Sequence, residues 1–410
     1  MKKDKLHSDT WCPIPFVAVS YHPMGALTRC MMSEELMSYD LDWDNQSFQD
    51  LRKSMLDGKW DLPGCNSCKS KEDFNITSQR ERWLFGKTRN RLSEDAYDNP
   101  GLMNNTVRHL FLNFNNVCNF KCRMCSPKYS NSLIPEQNFI EKKYPEVGKR
   151  IIDEEHKKQI KNINDVEQFL EINKHKLKNV TQIWITGGEP FIGKTLYNVK
   201  DMLYKYANPE KIFLTITTNG SKVDVNRLQE FDRFKMLHLD ISLDVVGNMF
   251  EYMRSDGLFT WYQMDTFIDK VSKFGFGNSK WFKFSCNSSY QMYNATKMKE
   301  LYEYNHNLEK EYDSKILTNQ RVLIGPAYFQ ARHLPEEIKT VANEKIEKLL
   351  EHQWLDQDDV QNIKDCQEML NKKSVEEEWE RFKTMTRIQD EYRKTHLNKY
   401  DNLLSDYVYN

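Results

Sequence analysis

Six short apolar runs that alternate with longer charged segments constrain the fold of this chain more than any other feature. The runs are Val107–Phe114, Val180–Thr186, Ile212–Thr218, Met236–Leu243, Trp281–Ser285 and Val322–Ile324. Each has the length of a strand and is rich in β-branched or aromatic residues, whereas the segments between them show helical periodicity. This alternation predicts an α/β fold of βα units with a parallel sheet. Six strands are too few for a closed eight-stranded barrel, so we expect a partial barrel or an open sheet.

The composition and charge exclude several classes of protein. The 22 Phe, 20 Tyr and 9 Trp argue against a disordered chain. A total of 59 Lys+Arg against 60 Asp+Glu leaves a net charge of −1, which argues against a broad cationic surface for nucleic acid. No stretch approaches the roughly 18 apolar residues that a membrane span requires, so we expect no membrane association. The first ten residues lack the apolar core of a secretory signal, and we therefore expect a cytoplasmic protein.

A triplet of cysteines follows the first apolar run. Cys118, Cys122 and Cys125 have the spacing C-x3-C-x2-C. Three thiolates on one loop can bind three irons of a [4Fe–4S] cube and leave the fourth iron open, and an open metal position is usually a reaction site. The alternative is a structural zinc knuckle, which needs a fourth Cys or His nearby. His109 lies on the predicted strand and the next histidine is His156, so neither is well placed.

This triplet after a first strand resembles the radical SAM superfamily, and the resemblance covers about residues 107–335. It implies a partial (β/α)6 barrel with a [4Fe–4S] cluster on the three cysteines. Gly187, Gly188 and Glu189 follow the second apolar run and resemble the GGE motif of that family. The resemblance implies that they bind the amino group of S-adenosylmethionine (SAM). The chemistry agrees, because glycines let the backbone approach a ligand and a carboxylate pairs with an ammonium group.

Further SAM contacts are implied at four positions. Asn219 follows the third run and resembles the family's TNG turn, while Ser242 and Asp244 end the fourth run and resemble its S-x-D motif. The family often has an aromatic residue before the third cysteine, with its backbone facing the adenine; here that residue is Met124. An ordinary turn or helix cap explains Asn219, Ser242 and Asp244 equally well.

Four more cysteines precede the barrel. Cys12, Gly25 and Cys30 have the spacing C-x12-G-x4-C, and Cys65 and Cys68 follow as C-x2-C. This pattern resembles the first part of the SPASM or twitch auxiliary-cluster motif, which in relatives generally lies after the barrel. The resemblance implies one auxiliary [4Fe–4S] cluster on the four cysteines. A zinc site with four cysteine ligands is the alternative.

The domain organisation that we predict has four regions. They are an auxiliary-cluster region at 1–80, a connector at 81–106, the partial barrel at 107–335 with a charged helical insertion at 128–179, and a helical C-terminal extension at 336–410. Within them we predict a helix over Ser47–Gly58 and a hairpin around the His22–Gly25 turn. Ser374 and Glu377 form a capping-box pattern before an amphipathic helix.

The resemblance implies an enzyme that reductively cleaves SAM to a 5′-deoxyadenosyl radical, which abstracts hydrogen from a substrate. An oxidative or crosslinking modification of a peptide or protein is our first interpretation, with an external electron donor such as flavodoxin or ferredoxin. Radical SAM chemistry on a small molecule or RNA is one alternative. A non-enzymatic, zinc-binding interaction protein is the other. The sequence leaves open the substrate, the product and any catalytic acid or base.

Overall fold

The computed structural model of the 410-residue chain describes residues 10–30, 33, 36–59, 65–73, 77–85, 107–147, 166–313 and 315–410. These residues have a mixed α/β fold with parallel strands and a helical C-terminal region, which confirms the predicted fold class. The chain divides into two compact units. The first comprises Met1–Asn115, Ile160–Thr217 and Leu228–Leu237, and the second comprises Asn116–Gln159, Thr218–Arg227 and His238–Asn410.

The first unit contains a sheet whose described strands lie in the order β3-β2-β1-β4-β5-β6. They are β1 Ala18–His22, β2 Ala26–Thr28, β3 Leu36–Ser38, β4 His109–Asn113, β5 Gln182–Thr186 and β6 Phe213–Thr218. The predicted hairpin is confirmed, because β1 and β2 pair antiparallel around the His22–Gly25 turn. Strand β1 also pairs in parallel with β4, with Ala18 opposite His109. The N-terminal segment is therefore part of this sheet, which its sequence does not indicate.

The helices of both units have the following bounds. The α-helices are α1 Ile14–Val17, α2 Gln46–Leu56, α3 Asn66–Asp73, α4 Gln79–Phe85, α5 Ile134–Lys143, α6 Val166–Ile172, α7 Thr195–Tyr206, α8 Trp261–Gly277, α9 Met298–Tyr312, α10 Glu336–Leu350, α11 Gln357–Leu370, α12 Glu376–Arg393 and α13 Asn402–Tyr409. Short 3₁₀ turns span Asn131–Leu133, Leu177–Asn179, Pro209–Lys211, Val225–Phe231, Met292–Asn294, Ala327–Phe329, Ala331–His333 and Leu397–Lys399, and a π-helix spans Glu251–Ser255.

The helix predicted over Ser47–Gly58 corresponds to α2. Asn45 caps its first turn, because the Asn45 side chain accepts a hydrogen bond from the N–H of Phe48 at 3.3 Å. Leu51 and Met55 on its apolar face join a buried cluster with Trp11, Ile14, Phe16, Trp83 and Phe111. This cluster anchors the cysteine-rich N-terminal segment against strand β4.

The second unit contains β8 Phe282–Tyr290, β9 Leu317–Val322 and, from His238 onward, β7 Met236–Ser242. Strands β8 and β9 pair in parallel, with Ser288 opposite Gln320. The last strand was predicted at Val322–Ile324, which is wrong except for its first residue. The observed strand is made largely of polar residues, so it lacks the apolar signature on which the prediction depends.

The C-terminal extension is helical, as predicted, and consists of α10 to α13. Trp379, Phe382 and Met385 on α12 are buried at the predicted spacing. The predicted capping box at Ser374 and Glu377 is wrong. Helix α12 has Val375 at its N-cap and no side-chain cap, and the Val375 N–H donates to Nδ1 of His333 at 2.9 Å.

Part of the predicted organisation falls outside the described residues. Most of the connector at 81–106 lies there, and so do residues 148–165 of the charged insertion. The described parts of that insertion include α5 and α6. The division into these four regions stays a prediction. In the described ranges no helix is both long and apolar enough to span a membrane.

Candidate metal centres

The loop that carries the cysteine triplet belongs to the second unit and is held by the residues that follow it. The Cys118 N–H donates to Oδ1 of Asn131 at 3.3 Å, and the Ser132 hydroxyl donates to the Cys118 carbonyl at 2.5 Å. The Cys125 N–H donates to the Cys122 carbonyl at 3.0 Å. The loop therefore takes its shape from backbone groups that are satisfied locally.

The three thiols lie close enough to influence one another's ionisation. Burial raises the pKa of Cys125, and the charges of Cys122 and Cys118 raise it further. Burial also raises the pKa of Cys122, against the opposing effect of the Arg254 guanidinium. Metal ligation requires thiolates, so three adjacent thiolates, of which that of Cys122 is buried, need positive charge close by. An iron–sulfur cluster would supply that charge, and the donor set therefore fits one.

Two N–H groups point at the sulfur of Cys118. The Phe120 N–H lies 3.4 Å from this sulfur and Nδ2 of Asn219 lies 3.8 Å from it. The structure thus brings Asn219, predicted from sequence as a SAM contact, together with the cysteine loop. Oδ1 of Asn219 accepts a hydrogen bond from the Ser221 N–H at 3.0 Å, as in an ordinary Asx turn. Asn219 is therefore both a turn residue and a donor to a candidate metal ligand.

Asp244 and Arg254 form a largely buried ion pair beside the triplet. The side chains are 3% and 12% exposed, and Oδ1 of Asp244 also accepts from the Ser289 N–H at 2.7 Å. Burial alone would lower the pKa of Arg254, but the charges of Cys122 and Asp244 outweigh this effect and raise it. Asp244 therefore has partners within the protein, and it holds a guanidinium near Cys122. Its contact with SAM stays a prediction.

Met124 and Ser242 are the remaining predicted SAM contacts of the second unit. Met124 lies in the turn between Cys122 and Cys125, and Ser242 is the last residue of β7. Both residues are partly exposed. Their roles stay predictions.

Gly187, in the first unit, occupies a position that only glycine fits. Its φ is +91°, a left-handed conformation that other residues rarely adopt. A Cβ atom there would lie 1.7 Å from Oδ1 of Asn113 and 2.9 Å from the backbone nitrogen of Phe114. The end of β5 thus approaches the end of β4 through a glycine backbone, and the predicted approach of this backbone to a ligand stays a prediction.

The other two residues of this motif form a tight turn after β5. Gly188 also has a positive φ, of +51°. Glu189 is 2% exposed, and Oε1 of its carboxylate accepts a hydrogen bond from the Phe191 N–H at 3.1 Å. The predicted contact of this carboxylate with the ammonium group of SAM stays a prediction.

The four N-terminal cysteines come from three separate segments of the first unit and lie in one neighbourhood. Burial raises the pKa of Cys12, and a hydrogen bond with the Ile14 backbone partly opposes this effect. The charges of Cys30, Cys68 and Cys65 raise the pKa further. Cys12 belongs to the buried cluster around Trp11, and Cys30 and Cys65 pack against that cluster. The predicted ligand set is thus assembled within one unit, although its metal stays a prediction.

Helices α3 and α4 hold the last two of these cysteines. The Cys68 N–H donates to the Cys65 carbonyl at 3.1 Å, which begins α3. Arg80 on α4 pairs with Glu72 on α3 at 2.6 Å and donates to the Trp11 carbonyl at 3.1 Å. One guanidinium therefore ties both helices to the segment that carries Cys12.

Among the described residues, no group of three or more His, Cys, Asp or Glu side chains is arranged to hold a single metal ion. A [4Fe–4S] cube has a different requirement, because each cysteine binds a different iron.

The sequence interpretation missed two arginines at the triplet. Arg123 lies between Cys122 and Cys125 and is buried, and its position inside the triplet is a signal that could have identified it. Arg254 lies on the π-helix, and nothing around it in the sequence distinguishes it from a surface arginine. Arg254 places positive charge near Cys122, whereas the Arg123 guanidinium pairs with Asp390.

Comparison with known proteins gives one family match. The family model described as the radical SAM superfamily matches residues 112–282. This range begins within β4 and includes the cysteine triplet, the Gly187–Glu189 turn and the end of β7. No curated protein matches the chain significantly.

Several solved structures are similar to parts of the chain. Streptococcus suis SuiB bound to S-adenosylmethionine is 14% identical over 71% of this chain and 60% of that one, with a TM-score of 0.37. SuiB bound to its precursor peptide SuiA is 15% identical over 62% and 52%, with a TM-score of 0.34. Native anSMEcpe with bound AdoMet and the Cp18Cys peptide is 17% identical over 59% of each chain, with a TM-score of 0.36. The chain thus spans about three fifths of the length of the first of these proteins.

Proposed function

We propose that this chain is a radical SAM enzyme that cleaves S-adenosylmethionine reductively and abstracts hydrogen from a peptide or protein substrate. The observation that carries the proposal is the triplet of Cys118, Cys122 and Cys125, whose thiols lie together on the loop after β4. The family match at residues 112–282 supports the same chemistry.

In this proposal the triplet holds a [4Fe–4S] cluster with one open iron. When bound there, the cluster and SAM supply the one-electron chemistry that yields a 5′-deoxyadenosyl radical. The chain supplies the surroundings. Phe120 and Asn219 donate to the sulfur of Cys118, and Arg254 places a positive charge beside Cys122. Hydrogen bonds to ligand sulfur and local charge are among the factors that set a cluster's reduction potential.

The SAM contacts that we propose come from the strand ends. Glu189 binds the amino group of SAM, and the Gly187-Gly188 backbone gives the ligand close access. Met124, Asn219, Ser242 and Asp244 are assigned to the rest of the ligand from their positions in motifs. The position of Glu189 in the turn directly after β5, matching the family's motif, is what supports its assignment.

We assign the four-cysteine site in the first unit to an auxiliary [4Fe–4S] cluster. The mutual electrostatic influence of Cys12, Cys30, Cys65 and Cys68 supports a shared site. The peptide class of substrate follows from the resemblance of this segment to the SPASM and twitch pattern. Hydrogen abstraction that ends in an oxidised product needs an acceptor for a second electron, and this cluster is the acceptor that we propose. An external donor such as flavodoxin or ferredoxin would reduce the cluster on the triplet.

The direct experiment is anaerobic reconstitution of the full chain with iron and sulfide, followed by incubation with SAM and dithionite. We expect about eight iron atoms per chain, on the stoichiometry of two cubes, and release of 5′-deoxyadenosine. Replacement of Cys118, Cys122 and Cys125 by Ala should halve the iron and abolish release. The matched control replaces Cys286 and Cys366, two buried cysteines outside both groups, and should keep iron and activity.

The competing zinc-binding interpretation makes opposite predictions. Protein that stays colourless, contains zinc and releases no 5′-deoxyadenosine would contradict the proposed enzyme. Substrate class is tested separately with a pool of short peptides, an RNA preparation and small metabolites. Only the peptide pool should raise 5′-deoxyadenosine release above the basal rate.

A further inference from the structure

A buried arginine within the cysteine triplet contacts the C-terminal extension directly. Arg123 lies between Cys122 and Cys125, and its side chain is 1% exposed. Its Nη2 donates to Oδ1 of Asp390 on α12 at 2.5 Å, and the Asp390 side chain is 4% exposed. The two residues are 267 positions apart in the sequence. A guanidinium buried this deeply needs its carboxylate partner, because an uncompensated buried charge is strongly destabilising.

Helix α12 makes further contacts with the cysteine loop and with α5, the helix that follows that loop. Nε2 of Gln389 donates to the Arg123 carbonyl at 3.3 Å. Arg393, one turn later, donates through Nε to Glu136 of α5 at 2.7 Å, and the Arg393 side chain is fully buried. Helix α12 therefore contacts both the cysteine loop and the first turn of α5.

The remaining groups around the ion pair make its geometry rigid. Nε of Arg123 donates to the Tyr252 carbonyl at 2.9 Å, and the guanidinium carbon lies 3.6 Å from the centre of the Tyr252 ring. The other oxygen of Asp390 accepts from the Leu397 N–H at 3.0 Å and from the Tyr409 hydroxyl. Asp390 thus connects the loop to the last residues of the chain, including α13.

We propose that the C-terminal extension positions the cysteine loop, and that the Arg123–Asp390 pair is the contact through which it does so. Hydrogen bonds within the loop fix its backbone, whereas the Arg123 side chain leaves the loop and is held by Asp390, with both side chains almost fully buried. Arg123 is covalently part of the loop and Asp390 part of the extension, so their ion pair links the two. Both are positioning residues. The proposal rests on the proposed function only where it calls the loop a cluster site.

The test starts with Asp390→Asn in the full chain, which keeps the side-chain shape but removes the charge. The matched control is Asp365→Asn, which makes the same change at a buried aspartate of α11 that accepts from Gln361 at 2.8 Å. Before reconstitution, the chain is alkylated with iodoacetamide, and the rates at Cys122 and Cys125 report opening of the loop. Cys286 and Cys366, both 0% exposed, are internal references for opening of the core.

We expect Asp390→Asn to accelerate alkylation of Cys122 and Cys125 by about tenfold or more, which corresponds to about 1.4 kcal/mol per factor of ten. The two reference cysteines should keep their wild-type rates, and Asp365→Asn should leave the loop cysteines unchanged. Equal acceleration of all four cysteines, or of none, would overturn the proposal. If Asp390→Asn does not fold, Tyr409→Phe removes one donor to Asp390 and should give a smaller, equally selective acceleration.

A second readout uses the reconstituted protein and the sign of a charge effect. Removing the Asp390 charge leaves Arg123 uncompensated near the loop cluster, so Asp390→Asn should raise the reduction potential of that cluster. Arg123→Gln should lower it. Potentials that shift in the same direction in both variants would overturn the assignment of Arg123 and Asp390 as a charge pair at the loop. If wild-type protein holds no cluster on the loop, the proposed function fails, whereas the alkylation result still decides the positioning role.

Discussion

The close approach at Gly187 allows a perturbation whose size can be worked out from the structure. Gly187→Ala has two costs. The backbone has φ +91°, and forcing an L-residue into a left-handed conformation costs about 1–2 kcal/mol. The new Cβ would also lie 1.7 Å from Oδ1 of Asn113, so the neighbours must move, and overpacking of this kind costs about 1–3 kcal/mol. We therefore expect a total destabilisation of about 2–5 kcal/mol.

Gly193→Ala provides the matched control, because the chain offers a second glycine with the same backbone demand and no crowding. Its φ is +82°, and a Cβ there meets no heavy atom of the described structure within 4 Å. Only the backbone cost of about 1–2 kcal/mol should remain. The assay is urea unfolding of the full chain, with the three proteins compared at an unchanged m-value.

A rescue experiment separates the steric cost from the backbone cost. In the double variant Asn113→Ala, Gly187→Ala, the closest clashing atom is gone, although the Phe114 nitrogen at 2.9 Å remains. Part of the lost stability should therefore return. The reasoning would be refuted if Gly187→Ala were as mild as Gly193→Ala, because the approach of β5 to β4 would then tolerate a side chain.

Three other predictions concern separate parts of the molecule. Glu189→Gln should weaken SAM binding about ten- to a hundredfold at unchanged iron content, since a charge-assisted contact is worth about 1.5–3 kcal/mol; unchanged affinity in equilibrium dialysis would contradict the assignment. Burial lowers the pKa of His333 from 6.5 to about 4, and the charges of Arg332 and Lys339 add to this effect. Between these two pH values the imidazole is protonated in the unfolded chain and neutral in the native one. Stability should therefore fall as the pH drops from 6.5 to 4, and His333→Gln should flatten that dependence of the urea midpoint. Cys65→Ala with Cys68→Ala should leave 5′-deoxyadenosine release intact but abolish product formation; equal coupling in mutant and wild type would remove the redox role of the auxiliary site.

Most strands could be located from the sequence because their signal is local. Strands β4 to β7 coincide with apolar runs to within about two residues at either end, since side chains that share a buried face recur along a short stretch of chain. Strand β9 escaped this reasoning. Its residues Thr318 to Arg321 are polar, and the parallel pairing with β8 that places them in the sheet involves residues about 30 positions earlier.

The pairing of β1 with β4 could not be predicted from the sequence for a related reason. The hairpin itself could be predicted from a turn and two short runs. Its position in the sheet depends on pairing between Ala18 and His109, which no local pattern records. The same holds for the capping of α12, where His333 takes the N–H of Val375 and local capping residues are not used.

The candidate metal-binding thiols could therefore be identified from the sequence alone, whereas the side chains that surround them were decided by the tertiary structure. The spacing of Cys118, Cys122 and Cys125 places three thiols on one loop whatever the rest of the chain does, because a short loop cannot separate them. Asn219 reaches the sulfur of Cys118 across 101 residues, and Asp390 reaches Arg123 across 267. Such contacts depend on which buried surfaces meet when the whole unit folds. No local sequence pattern indicates that a carboxylate and a guanidinium so far apart in the chain will form an ion pair.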